Sequence, residues 1–383
     1  MMTPKKKPGE IRDAIVSSLS ARPNGAKVSE IVADVGDMVG FAAPSSVRSY
    51  LRLNTPDVFT RKARGFYQLR PDGMVREPEA QAYESHTTHS NWPSFSIGKA
   101  TIYKGDCIDW LREQPKRSIH AVVTDPPYGL FEYSAEQQAK LRSGKGGVWR
   151  IPPSFDGVTR APLPRFTVLT SRDLQVLDRF FYEWATALVP VLVPGANVVV
   201  ASNPLLSYIV SSAMARAGLE RRGEIVRLVM TMRGGDRPKA AHDAYPDVSV
   251  MPRSMWEPWL LFRKPIEGRI QDNLRLWMTG GFRRPSRDKP FGDVIQSSPT
   301  HASERKLAAH PSLKPQGFLR TLVRGVLPLA KGKVLDPFAG SGSTLAAAEA
   351  VGYESVGVEK DLQYFQLATA AIPRLAAFNN GTN

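Results

Sequence analysis

The sequence predicts an α/β protein, a doubly wound parallel sheet preceded by a small domain of helices and a hairpin. Two observations predict the sheet. Beyond residue 96, short apolar or β-branched runs alternate with helical segments, and two of these runs end in proline- or glycine-rich turns. A chain of 383 residues is long enough for one large domain with a well-buried core and a second, smaller one.

The first 76 residues predict three short helices and then a hairpin that turns at Arg64-Gly65. This order resembles a winged helix-turn-helix domain. Residues 1–76 contain thirteen basic and seven acidic residues, which leaves two interpretations open. The domain docks on DNA or a partner protein, or it is a structural cap. Residues 77–95 lack apolar periodicity and are predicted to be a linker.

The second domain is predicted to span residues 96–377. One helix has an unbroken apolar stripe from Leu174 to Leu188. The predicted strands are short, apolar and regularly separated by such helices: 100–103, 121–124, 197–201, 225–230, 259–262, 333–335 and 355–358. Alternation of this kind is typical of a parallel, doubly wound sheet.

The net charge is high. The chain has 51 Lys and Arg against 36 Asp and Glu, a formal charge of +15, which favours a polyanionic partner, most commonly nucleic acid. A membrane is the rival partner, but the longest apolar stretch, 188–201, is interrupted by two prolines and a glycine and is too short to span one. The single cysteine, Cys107, excludes an internal disulfide and a cysteine-based zinc cluster, so we expect a cytoplasmic protein without a metal.

The first chemical motif is Val-Leu-Asp-Pro-Phe-Ala-Gly-Ser-Gly-Ser-Thr at residues 334–344. Gly340 and Gly342 allow the backbone to pass close beneath a ligand at the end of a strand. The next predicted strand ends at Glu359, where a carboxylate can bind both hydroxyls of a ribose. The turn matches neither a phosphate loop nor GxGxxG, so an adenosine ligand without a pyrophosphate fits better than NAD or ATP. A structural strand-to-helix turn is the alternative.

The second motif is Asp125-Pro126-Pro127-Tyr128, also after a predicted buried strand. An exocyclic amine is a poor nucleophile because its lone pair is delocalised into the ring. The Asp125 carboxylate and the Pro126 carbonyl can each accept one N–H bond, which increases electron density on the nitrogen. The two prolines fix the backbone, and Tyr128 can stack on the base. A proline-rich loop without catalytic function is the alternative.

Together the motifs resemble the DNA amino-methyltransferases, whose signature is a DPPY-type catalytic motif and an FxGxG cofactor motif. The catalytic motif comes first here, as in the β class, a permuted form of the Rossmann-like S-adenosylmethionine-dependent methyltransferase fold. The resemblance covers residues 96–377 and includes His-Pro-Ser-Leu-Lys-Pro at 310–315. It implies S-adenosyl-L-methionine as cofactor and a catalytic role for residues 125–128. The residues it implies for cofactor binding are Asp106, Cys107, Asp125, Lys314, Asp336, Phe338, Gly340, Ser341, Gly342, Glu359 and Lys360.

Three DNA methylation reactions have to be distinguished. Methylation of cytosine C5 needs a thiolate in a Pro-Cys dipeptide, and Cys107 follows Asp106, so this reaction is excluded. Cytosine-N4 members of the family more often carry Ser where this chain has Asp125, so the sequence favours adenine N6, with cytosine N4 as the alternative. The target base is expected to leave the duplex. An RNA or protein-glutamine methyltransferase, or an inactive DNA-binding regulator, fits the motif order and the intact motifs less well.

Two basic stretches are predicted to lie outside the core fold. Residues 130–171 are expected to form a DNA-facing loop, and residues 263–310 occupy the place of the β-class target-recognition region. The predicted DNA contacts are Lys145, Arg150, Arg283, Arg284, Arg287 and Lys289. The expected partner is double-stranded DNA, in the nucleoid of a bacterium or on a phage genome. A homodimer and a cognate restriction endonuclease are further partners that the resemblance suggests and the residues do not demonstrate.

Overall fold

The chain divides into two compact units, Met1–His89 and Ser90–Asn383. The computed structural model describes residues 10–40, 42–53, 55, 58–70, 92–127, 154–155, 158–159, 170–229, 235, 237–238, 240–308, 310 and 313–379. Tyr128, Lys145 and Arg150 lie outside the described residues, as do nearly all of the predicted 130–171 loop and residues 77–91 of the predicted linker.

The first unit has three helices and a hairpin where the sequence predicts them. Its elements are α1 (Glu10–Ser20), β1 (Ala26–Lys27), α2 (Val28–Val39), α3 (Pro44–Leu53), β2 (Phe59–Ala63) and β3 (Phe66–Leu69). The short β1 was not predicted. It pairs antiparallel with β3 and completes a three-stranded sheet in the order β1-β3-β2. Helices and sheet enclose one apolar core, in which Ile15, Val47 and Phe59 are fully buried.

The second unit is a single large sheet covered by helices. Its elements are β4 (Ser94–Ile97), β5 (Ala100–Lys104), α4 (Cys107–Glu113), β6 (Ile119–Thr124), β7 (Ser154–Phe155), β8 (Val158–Thr159), α5 (Ser171–Val191), β9 (Leu192–Ala201), α6 (Ser207–Arg216), β10 (Glu220–Leu228), β11 (Trp256–Arg263), α7 (Ile270–Trp277), β12 (Val294–Gln296), α8 (Ala302–Leu307), α9 (Gln316–Val326), β13 (Lys333–Asp336), α10 (Ser343–Ala350), β14 (Glu354–Glu359) and α11 (Leu362–Ala376).

The main sheet has nine strands in the order β12-β10-β11-β9-β6-β13-β14-β5-β4. Its centre, from β9 to β5, is parallel, as the alternation of strands and helices predicts. The sheet as a whole is mixed, however, because β11 lies antiparallel between β9 and β10 and β4 pairs antiparallel with β5. The predicted doubly wound α/β fold is thus confirmed, and the predicted parallel pairing holds for the five central strands but not at the two sides of the sheet. Runs of apolar residues do not reveal strand direction.

Helices cover both faces of this sheet. Successive residues of β6 point to opposite faces, so Val122 packs with α4, α5 and α6, whereas Ala121 and Val123 pack with α9 and α10. All six residues of β6 are buried, which is typical of a central strand in a sheet with two covered faces. The strand that leads to residue 125 is thus held rigidly in the core.

Residues 263–310 belong to the core fold, contrary to the prediction. Strand β12 extends the sheet by pairing in parallel with β10. The Asn273 amide is buried between β9 and the end of α7, and it donates to the carbonyls of Pro194 and Thr279 at 3.1 and 2.9 Å. Basic composition suggested a separate insertion, but the composition of a segment does not show which of its residues are buried.

The predicted linker ends earlier than expected. Strand β4 begins at Ser94, and the Trp92 indole donates to Glu113 Oε2 at 2.6 Å. A Cβ at Gly105 would lie 2.2 Å from the Trp92 ring, so this glycine is what allows the indole to pack there. Residues 92–95 are therefore part of the second unit. Among the described residues, no helix is both long and apolar enough to cross a membrane.

We expect residues 90–383 alone to fold, because this segment keeps Trp92 and β4 together with both helical layers. Thermal unfolding followed by circular dichroism should show one cooperative transition. A shorter chain starting at Ala100 lacks Trp92 and the β4 pairing, so its midpoint should be lower by roughly 5 °C. A non-cooperative transition for residues 90–383 would show that the division into two units is wrong.

Candidate active site

The glycine-rich motif forms the turn between β13 and α10. Gly340 and Gly342 have φ angles of 52° and 77°, a region that residues with a Cβ rarely adopt. A Cβ on Gly342 would lie 2.5 Å from Cγ1 of Ile372, so this position accepts only glycine without rearrangement of α11. The neighbouring Ser341 is buried, and its hydroxyl lies 3.2 Å from that of Ser343. The turn therefore holds its backbone close to the end of β13.

Asp336 ends β13 as a buried carboxylate. The Thr124 hydroxyl donates to its Oδ1 at 2.6 Å, and the Phe338 backbone N–H donates to the same oxygen at 3.2 Å. Burial raises the pKa of Asp336 to about 6, although the hydrogen bonds from Thr124 and its other donors act in the opposite direction. Since Thr124 is the last residue of β6, this bond joins the catalytic motif to the cofactor motif.

Glu359 ends β14 and reaches the glycine-rich turn. The backbone N–H of Gly340 donates to Glu359 Oε2, and that of Asp361 donates to Oε1, both at 2.7 Å. Burial raises the pKa of Glu359 above its usual range. This carboxylate is therefore fixed beside Gly340, at the same edge of the sheet as Asp336.

Asp106 caps the start of α4, just after β5, the strand that pairs with β14. Its Oδ1 accepts the Ile108 N–H at 2.9 Å, and its Oδ2 lies 3.0 Å from Lys360 Nζ. Burial acts to raise the pKa of Asp106, but Lys360 and the backbone donors outweigh it and hold the pKa below its usual range. Cys107 is buried in the core at the start of α4, and burial raises the pKa of its thiol.

The catalytic motif follows β6 directly. Asp125 is half-buried and Pro126 is buried, whereas Pro127 is exposed. The Lys314 ammonium forms an ion pair with Asp125 Oδ2, and it lies 3.4 Å from Glu257 Oε1 on β11. Burial acts to lower the pKa of Lys314, but the two carboxylates outweigh it and raise the pKa above the usual lysine value. Lys314 is therefore a cation shared between Asp125 and Glu257.

Arg227 on β10 extends this chain of charges. Its Nη1 lies 2.8 Å from Glu257 Oε2, its Nε donates to the Ser297 hydroxyl at 3.0 Å, and its Nη2 donates to the Ser298 carbonyl at 3.0 Å. Burial would raise the pKa of Glu257, but Lys314 and Arg227 outweigh it and lower the pKa. The charges alternate from Arg227 to Asp125 and sum to zero, which reduces the cost of burying them.

Aromatic rings form the remaining wall of the site. Phe338 packs against Trp184 and Phe180 of α5, with ring centroids 5.3 and 5.9 Å apart. His310 contacts Tyr364 at 4.5 Å, and burial lowers the pKa of His310 to about 4, so the ring is neutral at pH 7. A cleft opens between these groups, lined by Asp125, Trp259, His310, Lys314, Leu319, Asp336, Phe338, Ala339, Gly340, Ser341, Ser343 and Thr344.

The structure thus places the sequence-predicted cofactor residues in one row at the carboxyl ends of the parallel strands, except Cys107, whose side chain is buried in the core. Hydrogen bonds and ion pairs connect Asp106 to Lys360, Glu359 to Gly340, and Asp336 through Thr124 to the strand that ends at Asp125. Lys314 completes the row from the start of α9. Tyr128, the last residue of the catalytic motif, lies outside the described residues.

The four predicted DNA contacts of residues 263–310 do not join this row. The Arg283 N–H donates to the Gly325 carbonyl at 2.8 Å near the end of α9, and its guanidinium donates to the Tyr353 hydroxyl at 2.8 Å. Both partners lie at the amino ends of the parallel strands, opposite Asp125. Arg324 donates to the Arg284 carbonyl at this same edge. For the exposed Arg287 and Lys289, DNA binding stays a prediction without a place in the site.

Sequence reasoning missed several residues of the site. Arg227 lies within a predicted strand and Glu257 lies two residues before another, and the sequence analysis assigns neither a role. A charged residue in an otherwise apolar strand, such as Arg227, is itself a signal of a buried ion pair. Ser202 and Asn203 follow β9 next to the catalytic strand, and the Ser202 hydroxyl and the Asn203 amide nitrogen are buried without a hydrogen-bond partner among the described residues. Their sequence setting, a polar pair after an apolar strand, indicates only a turn.

Comparison with known proteins agrees with this geometry. Residues 119–370 match the family model N6_N4_Mtase, described as DNA methylase. The chain is 23% identical over 292 residues to Type II methyltransferase M.HindIII of Haemophilus influenzae, covering 70% of this chain and 93% of that protein. It is 21% identical over 268 residues to Type II methyltransferase M2.MboI of Moraxella bovis, covering 70% and 85%.

Two solved structures are similar in fold. PvuII DNA methyltransferase, described as cytosine-N4-specific, superposes with a TM-score of 0.48 at 15% identity, covering 77% of this chain and 92% of its own. The M1.HpyAVI–SAM complex superposes with a TM-score of 0.44 at 17% identity, covering 73% and 100%. Since the family model spans well over half of the chain, this protein belongs to the DNA methylase family, the S-adenosyl-L-methionine-dependent amino-methyltransferases of DNA, with the motif order of the β class.

Proposed function

We propose that this DNA methyltransferase modifies N6 of adenine at a specific sequence in double-stranded DNA. The observation that carries the proposal is the Thr124–Asp336 hydrogen bond, which joins the two chemical motifs. Asp125 follows Thr124 directly and lines the same cleft as Asp336, Phe338 and Gly340. An acceptor for an amine and a turn for an adenosine therefore open onto one space.

The residues present fit S-adenosyl-L-methionine. Its ribose hydroxyls, adenine amine and methionine ammonium are all hydrogen-bond donors, and the row offers three carboxylates, Asp106, Asp336 and Glu359. We assign Glu359 to the ribose, Asp106 to the adenine amine, and Asp336 to the methionine end, with Phe338 beside the adenine. The glycine-rich turn follows the carboxyl end of β13, where sheets of this kind bind ligands. When bound there, the cofactor supplies an electrophilic methyl group on a sulfonium.

Asp125 and Pro126 activate the target amine. The Asp125 carboxylate accepts one N–H bond and the Pro126 carbonyl accepts the other, which directs the nitrogen lone pair toward the methyl group. Lys314 holds the Asp125 side chain in place, and Glu257 and Arg227 hold Lys314. Fixed acceptors of this kind need no reorganisation during the reaction, and alignment of the reacting groups contributes a large part of the rate.

Adenine rather than cytosine is proposed from the first residue of the catalytic motif. Asp125 occupies the position where cytosine-N4 members more often have serine. A half-buried Asp125 cannot reach a base that is stacked in a duplex, so we propose that the base is flipped out, at a cost of about a few kcal/mol. The basic composition of the chain agrees with duplex DNA as the substrate.

Expression in a host that lacks DNA methylation tests the proposal. Single-molecule sequencing of the genomic DNA should show N6-methyladenine confined to one short motif. The matched control is Asp125→Ala, which removes one acceptor and should abolish the modification while cofactor binding stays measurable by calorimetry.

N4-methylcytosine in place of N6-methyladenine would contradict the choice of base and keep the reaction class. The absence of any modified base from cells that contain folded, cofactor-binding protein would contradict the proposed function. Normal modification by the Asp125→Ala variant would contradict the role of this carboxylate.

Asp336→Asn should stabilise the protein at alkaline pH and weaken cofactor binding. The pKa of Asp336 is raised in the folded protein to about 6 from its ordinary value of 3.8. The folded state therefore binds this proton more tightly than the unfolded state does. The contribution of Asp336 to the free energy of unfolding thus falls as the pH rises from 3.8 to about 6. The variant's gain in melting temperature over wild type should be larger at pH 8 than at pH 5.

Calorimetry should show cofactor binding by Asp336→Asn weakened about tenfold or more, the cost of about one charge-assisted hydrogen bond. The exposed Asp272→Asn is the matched control and should change neither property. An equal gain in melting temperature for Asp336→Asn at pH 5 and pH 8 would show that burial of the Asp336 charge does not limit stability.

Glu257→Gln should lower kcat by about tenfold or more while KM for the cofactor changes little. Without the Glu257 charge, Lys314 pairs with Asp125 alone and the Asp125 side chain is no longer aligned by a second anion. Steady-state kinetics should be measured well below the melting temperature, since breaking a buried ion pair costs about 3–5 kcal/mol.

Glu220→Gln provides the control. Glu220 pairs with Arg263 at 2.6 Å between the same two strands, β10 and β11, but at the opposite end of the sheet. We expect its kcat to equal that of wild type. A folded Glu257→Gln variant with wild-type kcat would refute a positioning role for Glu257.

A further inference from the structure

The N-terminal unit separates its charges between its elements. Helices α1 and α2 carry the acidic residues of its described part: Glu10, Asp13, Glu30, Asp34 and Asp37. Helix α3, the β2–β3 hairpin and the residue after it carry only basic charges within the described residues: Arg48, Arg52, Arg61, Lys62, Arg64 and Arg70. Asp57, between α3 and β2, lies outside the described residues.

Helix α3 has two contrasting faces. Val47 and Leu51 are fully buried in the core of the unit, and Tyr50 contacts the Phe59 ring of β2 at 6.1 Å. The other face is a stripe at i, i+3, i+4 and i+7 spacing in which every residue is exposed and polar: Ser45, Arg48, Ser49 and Arg52. These side chains offer hydrogen-bond donors along about two turns of helix.

The hairpin carries the remaining charges. Arg61, Lys62 and Arg64 are exposed at its turn, and β2 is in contact with α3 through the Tyr50–Phe59 pair. Of the basic residues here, Arg48, Arg52, Lys62 and Arg64 form no ion pair within the part of the chain that the structure describes. On the acidic side, by contrast, Asp34 is neutralised by Arg22. We name the seven exposed residues Ser45, Arg48, Ser49, Arg52, Arg61, Lys62 and Arg64 the α3–hairpin surface.

We propose that the α3–hairpin surface binds duplex DNA, with α3 in the major groove and the hairpin against the neighbouring phosphates. A helix with its side chains is about 10–12 Å wide, which fits a major groove about 12 Å wide. Arginine and serine can hydrogen-bond both base edges and phosphates. The unit would then act as a winged helix-turn-helix domain that adds a second DNA contact to the methyltransferase.

The composition of the surface favours DNA over other polyanions. An amphipathic helix that lies in a membrane exposes large apolar residues, and the described side chains of α3 expose none. The major groove of an RNA duplex is deep and narrow, so a helix cannot enter it. The inference rests on the proposed function in taking DNA as the substrate, but DNA binding can be measured without methyl transfer, so the two can fail separately.

The test uses the full chain and fluorescence anisotropy with a labelled duplex of mixed sequence at several salt concentrations. Arg48→Ala with Arg52→Ala should raise Kd by about tenfold or more. Arg61→Ala, Lys62→Ala and Arg64→Ala together should reduce the slope of log K against log salt by about two to three, one for each phosphate that these side chains neutralise in the wild type. Both variants should raise KM for DNA and leave kcat at saturating DNA unchanged.

The control is Lys116→Ala with Lys331→Ala, which removes two exposed charges just before the parallel strands β6 and β13. Its Kd should stay within about twofold of wild type, as expected for side chains that bind no phosphate. Circular dichroism should show that every variant is folded, since all of the substituted side chains are exposed.

Equal losses of affinity in the control and in the α3 variant would overturn the proposal, because net charge alone would then explain binding. Wild-type DNA affinity in both surface variants would overturn it as well and would leave a protein partner or a structural cap as the function of the unit. Duplex RNA of the same sequence and vesicles containing phosphatidylserine serve as competitors. If the variants lose affinity only for the RNA or only for the vesicles and keep wild-type affinity for DNA, the proposal is also overturned.

Discussion

The site depends on one buried hydrogen bond, from the Thr124 hydroxyl to Asp336 Oδ1, across 212 residues of chain. It joins the ends of β6 and β13, which are neighbours in the sheet because their apolar residues pair in parallel. The glycine-rich turn and Asp125 are therefore both placed by buried central strands of the sheet. Reacting groups aligned by central strands lose little entropy on reaching the transition state.

Charge is the second constraint on this edge of the sheet. Three carboxylates, those of Asp106, Asp336 and Glu359, lie at this edge, and burial raises the pKa of Asp336 and of Glu359. A protein selected only for stability would avoid such groups, since an uncompensated buried charge is costly. The remaining core, with Trp184, Phe181 and Trp259 fully buried, supplies stability that offsets the cost of these carboxylates.

Asp125 is held differently from Asp336. Its carboxylate is part of an alternating chain of four charges that sums to zero, from Arg227 on β10 through Glu257 on β11 and Lys314 before α9. The chain runs from β10 and β11 through the segment before α9 to the end of β6, and so links the antiparallel side of the sheet to that central strand. Through these ion pairs the antiparallel strands contact Asp125, the residue proposed to accept the target amine.

The sequence by itself determined the two motifs, their order, the class of reaction and most strands and helices. Local patterns suffice for these features, since apolar periodicity and glycine or proline turns act within a few residues. Only the tertiary structure decided that β11 and β4 run antiparallel, that residues 263–310 join the core, and that Arg283 faces away from Asp125 toward Tyr353. It also decided that Arg227 and Glu257 belong to the site. Strand pairing and burial create these features, and both depend on residues that are far apart in the chain. No local pattern encodes them.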